Sequence, residues 1–193
     1  MRIVFMFFRF VSLFILFVVT SSAQAEILRI GLGSDMIRIN YASANLGKSI
    51  GQIEFEAGVL YSEQNTTSDT MGHIGALVRG ESVEAPIVVS VGVRGYFGSA
   101  DSQSVGGLAI GGELTLSPES WNGFGLGGIL YFAPSVVSYG EAKGLQDFGV
   151  NASFKVSNQA KVVLGYQVMK VDFDSLPTRT VDDGVYIGVD IIF

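Results

Sequence analysis

Apolar and polar residues alternate along most of the chain after residue 25. The clearest stretch is 147–156, where Phe148, Val150, Ala152, Phe154 and Val156 share one face and polar residues or glycine occupy the other. A period of two predicts β-strands rather than helices.

The last strand that this pattern predicts, at 184–193, repeats the alternation. One face of it carries only apolar residues, which are Val185, Ile187, Val189, Ile191 and Phe193. We expect this face to be the signal that a barrel-assembly machinery reads, which is a hypothesis.

The alternating segments predict an all-β, antiparallel barrel of ten strands, with eight strands as the alternative. The predicted ranges are 27–33, 35–42, 52–62, 69–80, 86–98, 104–116, 122–133, 145–156, 160–173 and 184–193. Except for the first two, these strands have the length of tilted strands that cross a bilayer. An even number of strands returns both chain termini to the same side, the periplasm.

Residues 1–25 have the pattern of a cleaved signal peptide. Arg2 precedes an apolar stretch at 3–19, and Ala23-Gln24-Ala25 forms a cleavage site. We therefore expect one mature domain over 26–193. An uncleaved membrane anchor is the alternative, but Arg9 interrupts an apolar stretch that is already short for a spanning helix.

The amino-acid composition argues against several classes of function. Residues 26–193 keep 10 of the 12 Lys and Arg and all 18 Asp and Glu, and this acidity argues against nucleic-acid binding. The absence of cysteine excludes disulfides and thiolate metal sites. Because no apolar run after residue 25 reaches the length of a spanning helix, a membrane protein of this sequence must span as strands. A soluble β-sandwich or lipocalin-like barrel is the alternative fold.

Aromatic residues indicate two belts, as expected where a barrel meets both membrane surfaces. If the strands rise at 52, 86, 122 and 160, the predicted upper belt holds Tyr61, Phe97, Phe132 and Phe173, and the lower belt holds Trp121, Phe124, Phe154 and Phe193. The connections at 63–68, 99–103, 134–144 and 174–183 are then expected at the upper, outer end as mostly long loops.

Charged residues within the predicted strands fall on the face opposite the apolar one. We predict that this face lines the lumen as a structural charge network of Arg29, Arg38, Arg79, Arg94, Lys155, Glu54, Glu56, Glu113, Asp147 and Asp190. Balanced charges can pair with one another, which burial requires. A narrow polar channel lined by the same groups is the alternative.

His73 is the one histidine of the chain. We expect it to face the lumen near the upper end of its strand, where Ser68, Asp69 and Asp147 are candidate partners. This allows an envelope enzyme as a further alternative. The spacing of these residues does not require a catalytic arrangement around His73. We therefore assign no catalytic, cofactor-binding or metal residue and expect no enzymatic activity.

Three segments resemble the YfaZ family of bacterial outer-membrane proteins. The segment LYFAPS at 130–135, with Ser138 and Glu141 after it, is similar to that family's YYAPS motif. The segment GYQV at 165–168, ahead of 171–173, is similar to its GYR strand, and the closing segment from Tyr186 fits as well. Phe132 and Gln167 depart from the family's Tyr and Arg. The resemblance implies an outer-membrane barrel and supplies no ligand or catalytic residue.

Together these patterns predict a monomeric barrel in the outer membrane of a Gram-negative bacterium. We expect a structural or surface-interaction role, with lipid and lipopolysaccharide as partners.

Overall fold

The structure is a computed structural model that describes residues 25–44, 52–64, 67–81, 86–174 and 176–193. The predicted signal peptide lies outside these residues, apart from Ala25, which begins the first strand.

Eleven strands and two short 3-10 helices make up the described chain. The strands are β1 (Ala25–Gly33), β2 (Met36–Ala44), β3 (Gln52–Gln64), β4 (Thr67–Glu81), β5 (Ile87–Ala100), β6 (Gln103–Leu116), β7 (Phe124–Ala133), β8 (Ser138–Gly140), β9 (Ala142–Ser157), β10 (Ala160–Phe173) and β11 (Arg179–Ile192). The 3-10 helices are Glu119–Trp121 and Ser135–Val137. Neither is long and apolar enough to cross a membrane.

Ten long strands close into an antiparallel barrel, as predicted, and the eight-stranded alternative is wrong. Each long strand pairs with its neighbours in the chain, β7 pairs with β9, and β1 pairs with β11 to close the ring. The closing ladder runs from Ile27 opposite Ile192 to Gly33 opposite Tyr186. The Phe193 N–H then donates to the Glu26 carbonyl at 3.1 Å, so the final residue belongs to the seam.

Two strand assignments differ from the prediction. β11 begins at Arg179 rather than at residue 184, because a register shift opposite Met169 and Lys170 interrupts the alternation there. Strand β8 was not predicted. It pairs only with β6, from Val105 opposite Gly140 to Gly107 opposite Ser138.

The outer face of the barrel is apolar over its whole circumference. Each long strand exposes large apolar side chains on this face, for example Leu32, Ile39, Val59, Ile74, Val91, Ile110, Leu130, Val150, Leu164 and Ile187. The predicted face of the last strand is among them, since Val185, Ile187, Val189, Ile191 and Phe193 are all exposed. Nine residues of a tilted strand rise roughly 23 Å, close to the apolar height of outer-membrane barrels.

We call the end of the barrel away from Phe193 the upper end. Most of the inward side chains in the upper lumen are apolar and buried, and they form one packed cluster. Its upper members are Met36, Leu60, Met71, Ala100, Val105, Ala109, Tyr131, Ala133, Ala142, Leu145, Met169, Val171, Phe173 and Val181. We name this set the apolar plug. The expectation of a polar inner face therefore holds below the apolar plug, whereas at its level and above only a few inward residues, such as Arg38, Asp182 and Asp69, are charged.

Phe173 was wrongly placed in the upper aromatic belt. It is 8% exposed and packs inside the apolar plug, because it continues the inward parity of Met169 and Val171. The other predicted belt residues lie exposed on the outer face, and the rings of Phe124 and Phe154 contact each other at 4.7 Å.

The expectation of mostly long upper connections holds after β7 and β10 but is wrong between β3 and β4 and between β5 and β6. Between the strand bounds, the upper connections 34–35, 65–66 and 101–102 have two residues each. The lower connections 45–51, 82–86 and 117–123 are longer. At the upper end only 134–141 and 174–178 are longer than two residues. The other predicted loops are shorter than expected because part of each belongs to the neighbouring strands.

Candidate functional site: the barrel lumen

The predicted lumen charges meet below the apolar plug because alternation turns every second residue of their strands inward. Arg29 comes from β1, Glu54 and Glu56 from β3, Arg94 from β5 and Glu113 from β6. These strands lie in different parts of the ring, so the side chains reach one another across the lumen. Two of its pairs, Arg94 with Glu56 and Arg29 with Glu113, join strands that share no backbone hydrogen bonds.

Arg94 is the centre of this network. Its guanidinium binds both carboxylate oxygens of Glu56, at 2.6 and 2.7 Å, and one oxygen of Glu113 at 3.0 Å. It also donates to the Tyr96 hydroxyl at 3.2 Å and lies 3.7 Å above the centre of the Tyr131 ring. With a side chain only 4% exposed, Arg94 holds a charge that these contacts must compensate.

Asp147 and Gln167 extend the network toward β2. The Tyr96 hydroxyl donates to Asp147 at 2.7 Å, and the Gln167 amide N–H donates to the other oxygen of that carboxylate. The Gln167 carbonyl oxygen accepts from Arg38, which pairs with Asp182 at 2.8 Å. Gln167, one of the two departures from the family segments, thus bridges Asp147 and Arg38.

The other predicted charges occupy the lower part of the lumen. Arg29 lies 3.6 Å from Glu113 and 3.5 Å from Asp190, and Arg79 lies 4.0 Å from Glu54. Lys155 lies exposed at the lower end of its strand and forms no ion pair with the described residues. Of the ten predicted residues, nine are thus paired and Lys155 is not.

A cavity of about 130 Å³ lies among these charges. Its lining includes Arg94, Glu113 and Asp190, and Leu60, Met71 and Met169 of the apolar plug border it. A polar space of this size holds several water molecules. The buried Asn40 Oδ1 faces it without a protein partner, as expected where a water molecule completes the hydrogen bonding.

His73 lines this cavity rather than the upper rim, so the predicted rim position is wrong, although it does face the lumen. Its ring lies 5.7 Å from that of Tyr96. Of the candidate partners, Asp69 is engaged by Arg179 and Asp147 by Tyr96 and Gln167, and Ser68 is exposed. The arrangement does not resemble a catalytic dyad, because no described carboxylate bonds to the imidazole.

The upper mouth is crossed by an ion pair between strands that are not neighbours. Arg179 of β11 donates to Asp69 of β4 at 2.9 Å and to the Thr67 hydroxyl at 2.6 Å. The Asp101 N–H donates to the other oxygen of Asp69 at 2.9 Å. This bridge covers the apolar plug from above. Within the described chain, the lumen is therefore filled or bridged from its middle to its upper mouth.

A second upper ion pair lies outside the barrel, fully in solvent. Lys143 Nζ contacts Asp174 Oδ1 at 2.5 Å and holds the pKa of the Asp174 carboxyl below its usual value. Across the described residues, no group of three or more His, Asp or Glu is arranged to bind a metal ion.

A family model described as YfaZ precursor matches residues 6–193. The chain belongs to the YfaZ family. The resemblance that the segments at 130–135 and 165–168 indicated is thereby confirmed. The description of the YfaZ family as a precursor fits the predicted signal peptide. Comparison with curated proteins gives no match.

Two inward residues of this YfaZ-family barrel were missed by the sequence analysis. Asp182 was left in a loop because Val181-Asp182-Asp183 breaks the alternation at the register shift. Lys161 lines the cavity at the lower end, and its place directly after the tight turn at 158–159 drew no attention. Every second residue of β10 faces inward, so counting from Gln167 toward the lower end of the strand would have found Lys161.

Proposed function

We propose that this chain is a monomeric outer-membrane β-barrel with a structural or surface-interaction role and no catalytic activity. Its outer face contacts lipid, and its upper segments contact lipopolysaccharide or other partners at the cell surface. Export through the predicted signal peptide and insertion by the barrel-assembly machinery, with the apolar face of β11 as the signal, are parts of the same proposal.

The observation that carries the proposal is the apolar outer face. Monomeric soluble proteins rarely expose continuous apolar patches larger than a few hundred Å². Here such side chains surround the barrel, while charges on the outer face, such as Glu63, Lys170 and Asp183, lie near strand ends. A lipocalin-like soluble barrel has no physical reason to place Ile74, Leu130 and Leu164 in water.

Cell fractionation and gel mobility test the location. The protein should remain with the outer membrane, and it should migrate differently before and after boiling in detergent, since heat is needed to unfold such barrels. Identical mobility together with recovery in the soluble periplasmic fraction would contradict the proposal.

A matched pair of variants on β4 tests lipid contact directly. Ile74 and Thr70 both point outward, but Ile74 lies at mid-strand and Thr70 near the upper end. Ile74→Arg should destabilise the barrel by about 2–4 kcal/mol and Thr70→Arg by about 0–1 kcal/mol, because the cost of a lipid-facing arginine depends on depth. In a soluble barrel, both arginines would be solvated and nearly neutral.

The narrow channel remains the second candidate, favoured by the charged cavity in the lower lumen. The apolar plug and the Arg179–Asp69 bridge argue against free passage, because ions do not cross a dry apolar section without large cost. Purified protein in planar bilayers should give no steady unit conductance. Reproducible conductance steps would favour the channel.

A further inference from the structure

A row of inward polar residues crosses five neighbouring strands at the lower end of the lumen. Each residue lies directly opposite the next, in the order Lys155 of β9, Lys161 of β10, Asp190 of β11, Arg29 of β1 and Asn40 of β2. We call this set the lower row. Because the side chains of directly opposed residues begin only about 5 Å apart, adjacent members of the lower row can reach each other.

The charges of the lower row do not balance. It holds three cations and one anion, Asp190. Asp190 lies 3.5 Å from Arg29, which also lies 3.6 Å from Glu113. Lys155 and Lys161 form no hydrogen bond or ion pair with the residues that the structure describes. Within the described chain, these two lysines therefore have no counter-ion of their own.

The arrangement of the two lysines is unfavourable without a further group. Like charges directly opposite each other destabilise a sheet. Lys155 is exposed, but Lys161 is half-buried, so water screens the repulsion only in part. An anion held between the two ammonium groups would turn this repulsion into two attractive contacts. The end of the lower row is therefore suited to receive a negative group.

The cavity of the lower lumen begins beside this pair of lysines. Lys161, Ser153 and Asn151 line it, and the last two lie on the inner face of β9 directly above Lys155. At its inner end the buried Asn40 Oδ1 accepts from no described protein donor. The space of about 130 Å³ thus offers cations at one end and a free acceptor at the other. A small polar solute fits this arrangement.

The cavity is reached from the lower mouth. Exposure of the side chains rises in that direction, from 4% at Arg94 through 18% at Glu113 to 37% at Arg29. On the other side, the apolar plug and the Arg179–Asp69 bridge close the lumen. Among the described residues, a solute therefore meets Lys155 and Lys161 as it enters and stops below the plug.

We propose that Lys155 and Lys161 bind the anionic group, a carboxylate or a phosphate, of a small solute that enters the cavity through the lower mouth. Glu113 and Asp190 line the cavity as well, so they repel a negative charge from its interior and keep the anionic end of the solute at the lysines. The inference goes beyond the proposed function, because a cavity closed at one end binds a solute without conducting it. It rests on the proposed location only for the compartment, the periplasm, that the lower mouth faces.

Lysine signals in NMR spectra test the site, with inorganic phosphate as the probe. The chain has five lysines, and each is labelled at Cε with an NMR-active carbon isotope. The folded protein in an uncharged maltoside detergent is titrated with phosphate, which replaces chloride at constant ionic strength. The signals of Lys155 and Lys161 should shift together and saturate, whereas those of the outward Lys170 and of Lys143 should not move.

Two methionine variants give a matched comparison. Lys155→Met removes one member of the pair, and Lys170→Met removes an outward lysine near the upper end of β10. Lys155→Met should weaken phosphate binding at Lys161 by about ten-fold or more, the loss of one charge-assisted contact, and Lys170→Met should leave it unchanged. In chloride, Lys155→Met should unfold at the same urea concentration as the unmodified protein or a higher one, because one of two facing charges is gone.

Three results would overturn the site. They are the absence of a saturable shift, an equal shift of all lysine signals, and an unchanged phosphate affinity in Lys155→Met. Vesicles of phosphatidylglycerol without free phosphate distinguish the source of the anion. Signals of Lys155 and Lys161 that already lie at their phosphate-saturated positions there would assign the anion to a lipid headgroup and contradict the solute. Recovery of the protein in the soluble periplasmic fraction would contradict the membrane location alone, since phosphate binding by the purified barrel does not depend on it.

Discussion

The upper and lower halves of the lumen are stabilised in opposite ways. Above, apolar side chains such as Leu145 and Val171 are fully buried against one another. Below, Arg94 and its carboxylate partners surround a polar cavity. The upper half depends on packing, whereas the lower half depends on exact charge pairing. The packed upper half therefore closes the lumen, and the charged lower half encloses a polar cavity.

This difference bears on how substitutions act in each half. In the packed half, a lost side chain leaves a cavity, and its cost scales with volume. In the charged half, a lost partner leaves an uncompensated charge, and its cost depends on which group remains. Four predictions test this contrast, in order of decreasing expected effect.

Replacing the central cation should have the largest effect. Arg94→Met leaves Glu56 and Asp147 buried without their main compensating charge, which should cost about 3–5 kcal/mol. The midpoint of urea unfolding in vesicles measures the loss. Adding Glu56→Gln to Arg94→Met should recover part of it. A loss no larger than that of Arg79→Met, whose side chain is 25% exposed, would contradict the assigned centre.

Truncating a plug residue should come next. Leu145→Ala removes a fully buried side chain and should cost about 2–4 kcal/mol through the cavity left behind. Leu164→Ala is the matched control on the exposed outer face, where no packed side chains enclose a cavity, and its effect should be clearly smaller. Equal losses in the same unfolding assay would show that the upper lumen is not packed as described.

Removing the bridge over the upper mouth should have an intermediate effect. Arg179→Met leaves the buried Asp69 carboxylate with the Asp101 N–H as its remaining donor, which should cost about 1–3 kcal/mol. Thr67→Val removes only the neutral contact to Arg179 and serves as the control. An unchanged unfolding midpoint for Arg179→Met would mean that the bridge contributes nothing to closure.

The exposed pair outside the barrel should matter least. Because Lys143 lowers the pKa of Asp174, the pair stabilises the protein at pH values above the ordinary pKa of aspartate. That contribution disappears as the pH falls through the lowered pKa. Full exposure and salt screening keep it small, so Asp174→Asn should leave the unfolding midpoint unchanged at neutral pH. A clear shift would indicate a structural role for 174–178.

Alternation along the chain was sufficient to predict the ten long strands and most of the inward charges, although not Asp182 or Lys161. It works wherever one face is apolar and the other polar, as from Phe148 to Val156. At the upper end of β10 the sense of the alternation is reversed, because the apolar Val171 and Phe173 face inward and the polar Lys170 and Asp172 face outward. Height alone then placed Phe173 in the wrong belt.

The remaining errors have a common origin in local irregularity. The register shift opposite Met169 hid Asp182, and the interruption after Pro134 hid β8, because both depend on how two strands pair and not on the pattern along one strand. His73 was placed at the rim because a position along one strand does not fix its level in a tilted ring. The sequence therefore predicted which kinds of residue line the lumen, but not the level at which each of them lies.

On the proposed outer-membrane location, the short connections at the upper end would limit what an antibody or bacteriophage could recognise from that side. Among the described residues, 34–35 and 101–102 add only two residues each, so most of the accessible relief comes from 134–141 and 176–178. An epitope tag for surface display would therefore have two natural positions, and the first would disturb the short strand β8 and its pairing with β6. The second, around Leu176, is the better site for a tag that leaves the barrel unchanged.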